Sequence, residues 1–243
     1  MNPSSKVGTI LKTYDAPEIL LKTLHRLKLI STVHSFEIFF NDVTAVLSQL
    51  RNNTPLNSSL SCREILENEL SHLAFAEGLH PITDIRRQFQ NGIRWFAAIQ
   101  NNTVVALNGV HTKEADLVYI RMPHLKLPRG VAYLNGTITA PEVRRQGIAS
   151  ILTQSILTTL NQEGYQSVFL VCFTHEKPAI RWHQKQGYLK WGRISYYSLN
   201  DKDHWWIRKT KKALNQTEIS SLFQNHQLTT HRVVNKRNLS HVD

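Results

Sequence analysis

The chain is predicted to adopt an α/β fold, a central mixed (α+β) sheet flanked by helices. Three observations carry this. Val131 to Ala140 is rich in β-branched and aromatic residues, which suit a pleated surface. From Arg144 the apolar spacing then turns helical, on Ile148, Ile151, Leu152, Ile156 and Leu160. Ser167 to Phe173 (SVFLVCF) is an unbroken apolar run of strand length, the pattern of a strand buried on both faces. Arg94 to Gln100 and Val104 to His111 are apolar strands joined through Asn101-Asn102, residues that tolerate turn conformations.

Taken in order, residues 1–14 carry no period. Asp15-Ala16-Pro17-Glu18 is a helix start, with Asp as N-cap, Pro in the first turn and Glu at the capping-box position. Lys28 to Val33 reads as a short strand. Ser35 to Leu50 reads as a helix on Phe36, Phe39, Phe40, Val43, Val46 and Leu47. A polar loop over 51–61 leads to a second helix, Ser61 to Ala76, with Ser61 capping and Glu64 answering it. A short helix around Thr83 to Phe89 precedes the hairpin. Leu117 to Ile120 looks extended, and Met122 to Arg129, with two prolines, reads as loop. Pro141 ends the strand that begins at Val131. Gly164 and Gly187 stand where helix C-termini favour a left-handed residue. Glu176 to Gln186 is a short helix. Tyr188 to Leu199 and His204 to Lys209 are strands about a turn at 200–203, and Thr217 to His226 is an amphipathic helix in a polar tail. The expected organisation is a mostly helical part over 1–92, a core over 93–210 and a basic tail over 211–243.

At 243 residues the chain holds one sizeable core with extensions. The chain holds no apolar run of about 18 residues, so no membrane span is expected. The opening residues lack a charged segment followed by an apolar core, so no secretion signal is expected. With two cysteines far apart, Cys62 and Cys172, a reducing, cytoplasmic setting is expected. No metal is expected. The net charge of +11 is uneven: Lys and Arg outnumber Asp and Glu 14 to 11 before Pro141, and 15 to 7 from there on. The basic half suits a polyanion, whether a phosphorylated cofactor, a nucleic acid or an acidic surface. Charge alone does not choose among them.

The chemistry lies in the turn Arg144-Arg145-Gln146-Gly147-Ile148-Ala149. Small residues let the backbone approach a ligand just as a helix begins. Free N–H groups there, aided by the helix dipole and two arginines, form an anion site. It is neither a Walker loop nor a dinucleotide fingerprint. As a sequence pattern it fits an ordinary strand–helix connection as well.

A second stretch, Glu176 to Tyr188 (EKPAIRWHQKQGY), lies one helix and one apolar strand further on. With Pro141 to Ala149, it resembles the GNAT superfamily of acyl-CoA-dependent N-acyltransferases, over roughly Ile93 to Lys209. The resemblance implies a GNAT-like fold and acetyl-CoA as acyl donor. It implies main-chain N–H groups across Arg145 to Ser150 (Arg145, Gln146, Gly147, Ile148, Ala149, Ser150), beside Arg144, holding the CoA pyrophosphate. Ile138, Thr139 and Ala140 would pair with the pantetheine arm in a gap where their strand splays from Ser167 to Phe173. Glu176 stands where relatives place an Asn near the cofactor, and His183 where they place a Tyr acid.

His183 would protonate the CoA thiolate only as imidazolium; otherwise it packs against the arm and solvent supplies the proton. No carboxylate stands on the organising strand. Tyr133, Asn135 and Thr137 are expected on one face, and Tyr133 and Asn135 either orient a proton-relaying water or serve the strand alone. The reading is an N-acetyltransferase acting on a primary amine in a ternary complex, the acceptor unspecified. Its rivals are a non-catalytic CoA- or RNA-binding module of the same fold, and an acyltransferase acting on an amine carried by RNA. Nucleic acid is a partner on the evidence of charge alone.

Overall fold

The computed structural model describes residues 16–27, 30, 32–53, 60–79, 81–117, 121–199, 202–210 and 222–223. The expected Asp15 cap and the turn at 200–201 lie outside these residues. So do half of the strand over Lys28 to Val33 and most of the loop over 51–61, of the extended stretch over Leu117 to Ile120 and of the helical tail. The chain divides into two compact units, Glu37–Gly192 and a second formed by Met1–Phe36 with Arg193–Asp243. No described helix is long and apolar enough to cross a membrane.

The unit Glu37–Gly192 is built on a mixed sheet. The strand order is β10 (Leu189–Leu199), β1 (Thr32–Asp42), β9 (Ser167–Phe173), β8 (Val131–Thr139), β5 (Thr103–His111), β4 (Arg94–Gln100) and β2 (Leu60–Ile65). Of β1 and β10, residues 37–42 and 189–192 belong to this unit. A short strand β3 (Ala74–Phe75) lies parallel to β5. Asn101 and Asn102 turn the β4–β5 hairpin with φ of 49° and 60°, the left-handed conformation that asparagine tolerates.

Helices cover both faces because the apolar residues of the strands point both ways. On one face, α2 (Val43–Asn53) and α4 (Ile148–Gln162) set Val43, Val46, Leu47, Ile148, Leu152 and Ile156 against Phe96, Ala106, Val110, Leu134 and Val168. On the other, α3 (Ile82–Gln90) brings Ile85 to Ile65, Leu70, Trp95 and Leu107. Each fully buried side chain of this kind contributes about 1.5–3 kcal/mol. Arg94 ties the layers: its guanidinium donates to Glu64 on β2 at 2.9 and 2.6 Å and to Glu163, just past α4, at 2.5 and 2.7 Å.

Three expected elements differ. Ser35 to Asp42 is strand, and helix begins only at Val43. Phe36, Ile38, Phe39 and Phe40 are all buried, and a strand apolar on both faces mimics helical spacing. Ser61 to Ala76 is not a helix but the strand β2, a 3-10 turn (Glu67–Glu69) and β3. Glu69 caps that turn by accepting from the Leu66 N–H at 2.8 Å. Met122–Lys126 is a strand, β7, paired antiparallel with β6 (Glu114–Leu117) in a separate two-stranded ribbon, where Pro123 is tolerated at an edge.

The other unit holds α1 (Ala16–Arg26) and the order β11 (Lys202–Lys209), β10, β1 over residues 193–199, 202–209 and 32–36. Ser35 Oγ lies 3.1 Å from Ser195 Oγ, His34 stacks on Tyr196, and the Tyr196 hydroxyl donates to Asp203 at 2.8 Å.

Candidate active site

The site forms where β8 runs into α4. The register of β8 with β5 slips: Leu134 faces Val110 and Thr137 faces Asn108, so Asn135 and Gly136 together oppose Gly109. This is a β-bulge, and Gly136, at φ 74°, supplies the left-handed residue it needs. The extra residue reverses the alternation of side chains. Tyr133 and Asn135 share one face, where the Tyr133 hydroxyl donates to Asn135 Oδ1 at 3.4 Å. Thr137 moves to the face of Leu134 and accepts from Asn108 Nδ2 at 2.8 Å. The expected common face of Tyr133, Asn135 and Thr137 therefore fails at Thr137.

Toward β9 the register runs Val131–Ser167, Ala132–Val168 and Tyr133–Phe169, and among the described residues it ends there. Beyond that pair β8 continues to Thr139 and β9 to Phe173, leaving facing edges unpaired with each other. Backbone alternation decides which of Ile138, Thr139 and Ala140 uses this edge. The Ala140 N–H donates to Val105 on β5 at 2.9 Å, so Ile138 and Ala140 turn their backbone groups to β5 and Thr139 turns its own to the opened side. Of the three residues expected to pair with the pantetheine arm, only Thr139 offers its backbone. Its carbonyl already accepts from Arg144 Nε at 3.0 Å.

The turn itself is a row of donors. A 3-10 turn (Pro141–Val143) leads to Arg145 at φ 65° and Gly147 at φ 81°, and α4 starts at Ile148. The Ser150 and Ile151 N–H groups both close on the Gly147 carbonyl, so the Ser150 N–H, expected in the row, is already taken by the first turn of the helix. Among the described residues, no acceptor takes the N–H groups of Arg145, Gln146, Gly147, Ile148 or Ala149. Successive donors in left-handed and turn conformations at a helix N-terminus make a concave anion site. Ile148 buries its side chain in the core and contributes backbone alone. Ser150 Oγ accepts from Gln186 Nε2 at 2.8 Å, which joins the start of α4 to the end of α5 (Lys177–Lys185). Gln146 reaches back to the Glu142 carbonyl at 3.5 Å, and Glu142 faces solvent.

Across the gap, Glu176 stands at the start of the short helix, as expected, and His183 lies on that helix. Glu176 precedes α5 exposed, its carboxylate 3.5 Å from the Cys172 thiol. Burial and that carboxylate push the Cys172 thiol up to about 12, so it offers no thiolate nucleophile. His183 is buried against the rings of Phe39, Trp182 and Tyr188. Burial pushes it down to about 4, so near neutrality the imidazolium form required of a thiolate acid is not populated.

One residue that sequence patterning passed over stands beside the bulge. His111, the last residue of β5, faces Tyr133 in the register with ring centroids 5.2 Å apart, and Tyr133 in turn lies 4.9 Å from Phe169. It is buried, and its Nδ1 lies 3.1 Å from the Glu114 carbonyl. In sequence it is merely the polar residue ending an apolar strand. The β6–β7 ribbon also brings exposed Glu114, half-buried Asp116 and exposed His124 together, with the Glu114 carboxylate against His124 Nδ1 and Asp116 accepting from the His124 main-chain N–H.

A profile of the acetyltransferase (GNAT) family matches residues 61–188. No curated protein matches the chain. Among solved structures, a conserved protein of unknown function from Staphylococcus epidermidis is similar at 15% identity, over 81% of this chain and 68% of that one, with a TM-score of 0.48. A GCN5-related N-acetyltransferase from Sphaerobacter thermophilus is similar at 13% identity, over 79% of this chain and 56% of that one (TM-score 0.46). An aminoglycoside N-acetyltransferase solved with CoA is similar at 15% identity, over 54% of this chain and 92% of that one (TM-score 0.38).

Proposed function

As the chain belongs to the acetyltransferase (GNAT) family, we propose that it transfers an acetyl group from acetyl-CoA directly to a primary amine bound in the same complex. The observation that carries this is the joining of two features. The β8–β9 register ends at Tyr133–Phe169, and the opened edge leads into the unpaired N–H row from Arg145 to Ala149. The row suits the CoA pyrophosphate, and Arg144 and Arg145 add positive charge beside it. The opened edge, with the Thr139 N–H, suits the amide-bearing pantetheine arm.

Laid along β8 from that turn, the thioester reaches the bulge. On this reading the bulged backbone and the side chains of Tyr133 and Asn135 orient the acceptor amine or a water beside it. Cys172 as an unionised thiol favours direct attack over an acyl-enzyme. The buried, neutral His183 leaves the thiolate proton to come from the amine undergoing acylation or from solvent.

Thiol release from acetyl-CoA, followed over a panel of primary amines, tests the reading. Amine-dependent release supports it. Tight acetyl-CoA binding without release by any amine would favour the non-catalytic CoA-binding module, which the lack of a carboxylate on β8 also suits.

A further inference from the structure

We infer that His111 Nε2 is the base that takes the proton from the acceptor ammonium, its ring held beside Tyr133 at the point where β8 and β9 part. This rests on the acyltransferase reading above. A carbonyl oxygen only accepts, so the 3.1 Å contact with the Glu114 carbonyl fixes the proton on Nδ1. Nε2 is then a bare lone pair. It is buried, and no group among the described residues donates to it. An unpaired acceptor in the interior costs stability and calls for a reason, which an incoming N–H donor supplies.

Position supports the role. His111, Tyr133 and Phe169 form a row across three adjacent strands on one face of the sheet, and Asn135 is the next side chain of β8 on that face. His183 also carries an unpartnered buried nitrogen, but three aromatic rings pack against it. Among the described residues, the ionisable groups near His111 are the Tyr133 phenol on β8 and Glu114 and Asp116 on β6. Burial lowers the His111 pKa, and the Glu114 carbonyl and the Asp116 charge pull the other way more weakly. The ring is therefore neutral, in the form a base requires, at neutral pH.

Nε2 takes one proton from the substrate ammonium, giving imidazolium and a neutral amine. The amine nitrogen bonds to the thioester carbon. As the C–S bond breaks, a second N–H proton ends on the thiolate sulfur, and the imidazolium returns its proton to solvent.

Long-range 1H–15N NMR of the wild-type protein at pH 7 tests the tautomer. Nδ1 protonated with Nε2 bare is expected; protonated Nε2 overturns the proposal, with no variant needed. His111→Gln is then compared with wild type on an amine the wild type acetylates. Expected is a fall in kcat/KM of about a hundredfold or more, loss of the acid limb of its pH profile, and acetyl-CoA affinity unchanged. A wild-type rate with the limb intact overturns the proposal. Loss of acetyl-CoA binding by the wild-type protein would instead remove the acyltransferase reading itself.

Discussion

Tyr133 on β8 and Phe169 on β9 are the last pair of the parallel register between these strands, their rings 4.9 Å apart. The pair acts as the apex of a wedge. Below it the sheet is continuous; above it Thr139 turns an N–H and a carbonyl to an edge that β9 does not use. Thr139→Pro removes that N–H alone, and an edge position tolerates proline. The variant should keep its melting temperature within a few degrees and bind acetyl-CoA about tenfold more weakly, the worth of one hydrogen bond. Titration calorimetry beside a thermal melt reads both.

Arg94 fastens β4 to β2 and to the end of α4 through two carboxylates, with its side chain 21% exposed. Arg94→Ala leaves Glu64 and Glu163 close together without their cation. The expected loss is about 2 kcal/mol, or roughly 4–8 °C in Tm. A melt unchanged within 1–2 °C, as roughly expected for a weak surface pair, would show that the fork adds little.

His183 gives a pH dependence whose sign follows from burial. Its folded pKa, about 4, lies below the ordinary 6.5, so the unfolded chain binds more protons between these values and stability falls as pH drops through that window. The full effect is about 3 kcal/mol. His183→Phe should therefore lose less stability than wild type between pH 7 and pH 5, as thermal melts at the two pH values would show. Equal losses would place the His183 ring in contact with solvent.

The sequence made the turn legible because its chemistry is local. Arg144 to Ala149 carries its own small residues, and the helix that follows has an unambiguous period. The β4–β5 hairpin was readable for the same reason, through Asn101-Asn102. What escaped depends on neighbours distant in sequence. Phe36, Phe39 and Phe40 look helical until both faces of β1 are known to be covered. The bulge at Asn135-Gly136 that moves Thr137 to the other face exists only in the pairing with β5. Burial decides that His183 is neutral, and burial together with the Glu176 carboxylate keeps Cys172 a thiol. His111 gains its role from a carbonyl three residues on and a ring on another strand, neither of which periodicity reports.

On the proposed function, the turn before α4 holds the phosphates of acetyl-CoA. Gly147 stands at φ 81° amid the free N–H groups, where a glutamate would strain the backbone and bring negative charge to the anion site. Calorimetric titration of wild type and Gly147→Glu with acetyl-CoA is the direct test. Micromolar binding by wild type, lost in the variant while its melt stays cooperative, is the predicted result. Equal binding by both proteins, or none by wild type, would contradict the assignment.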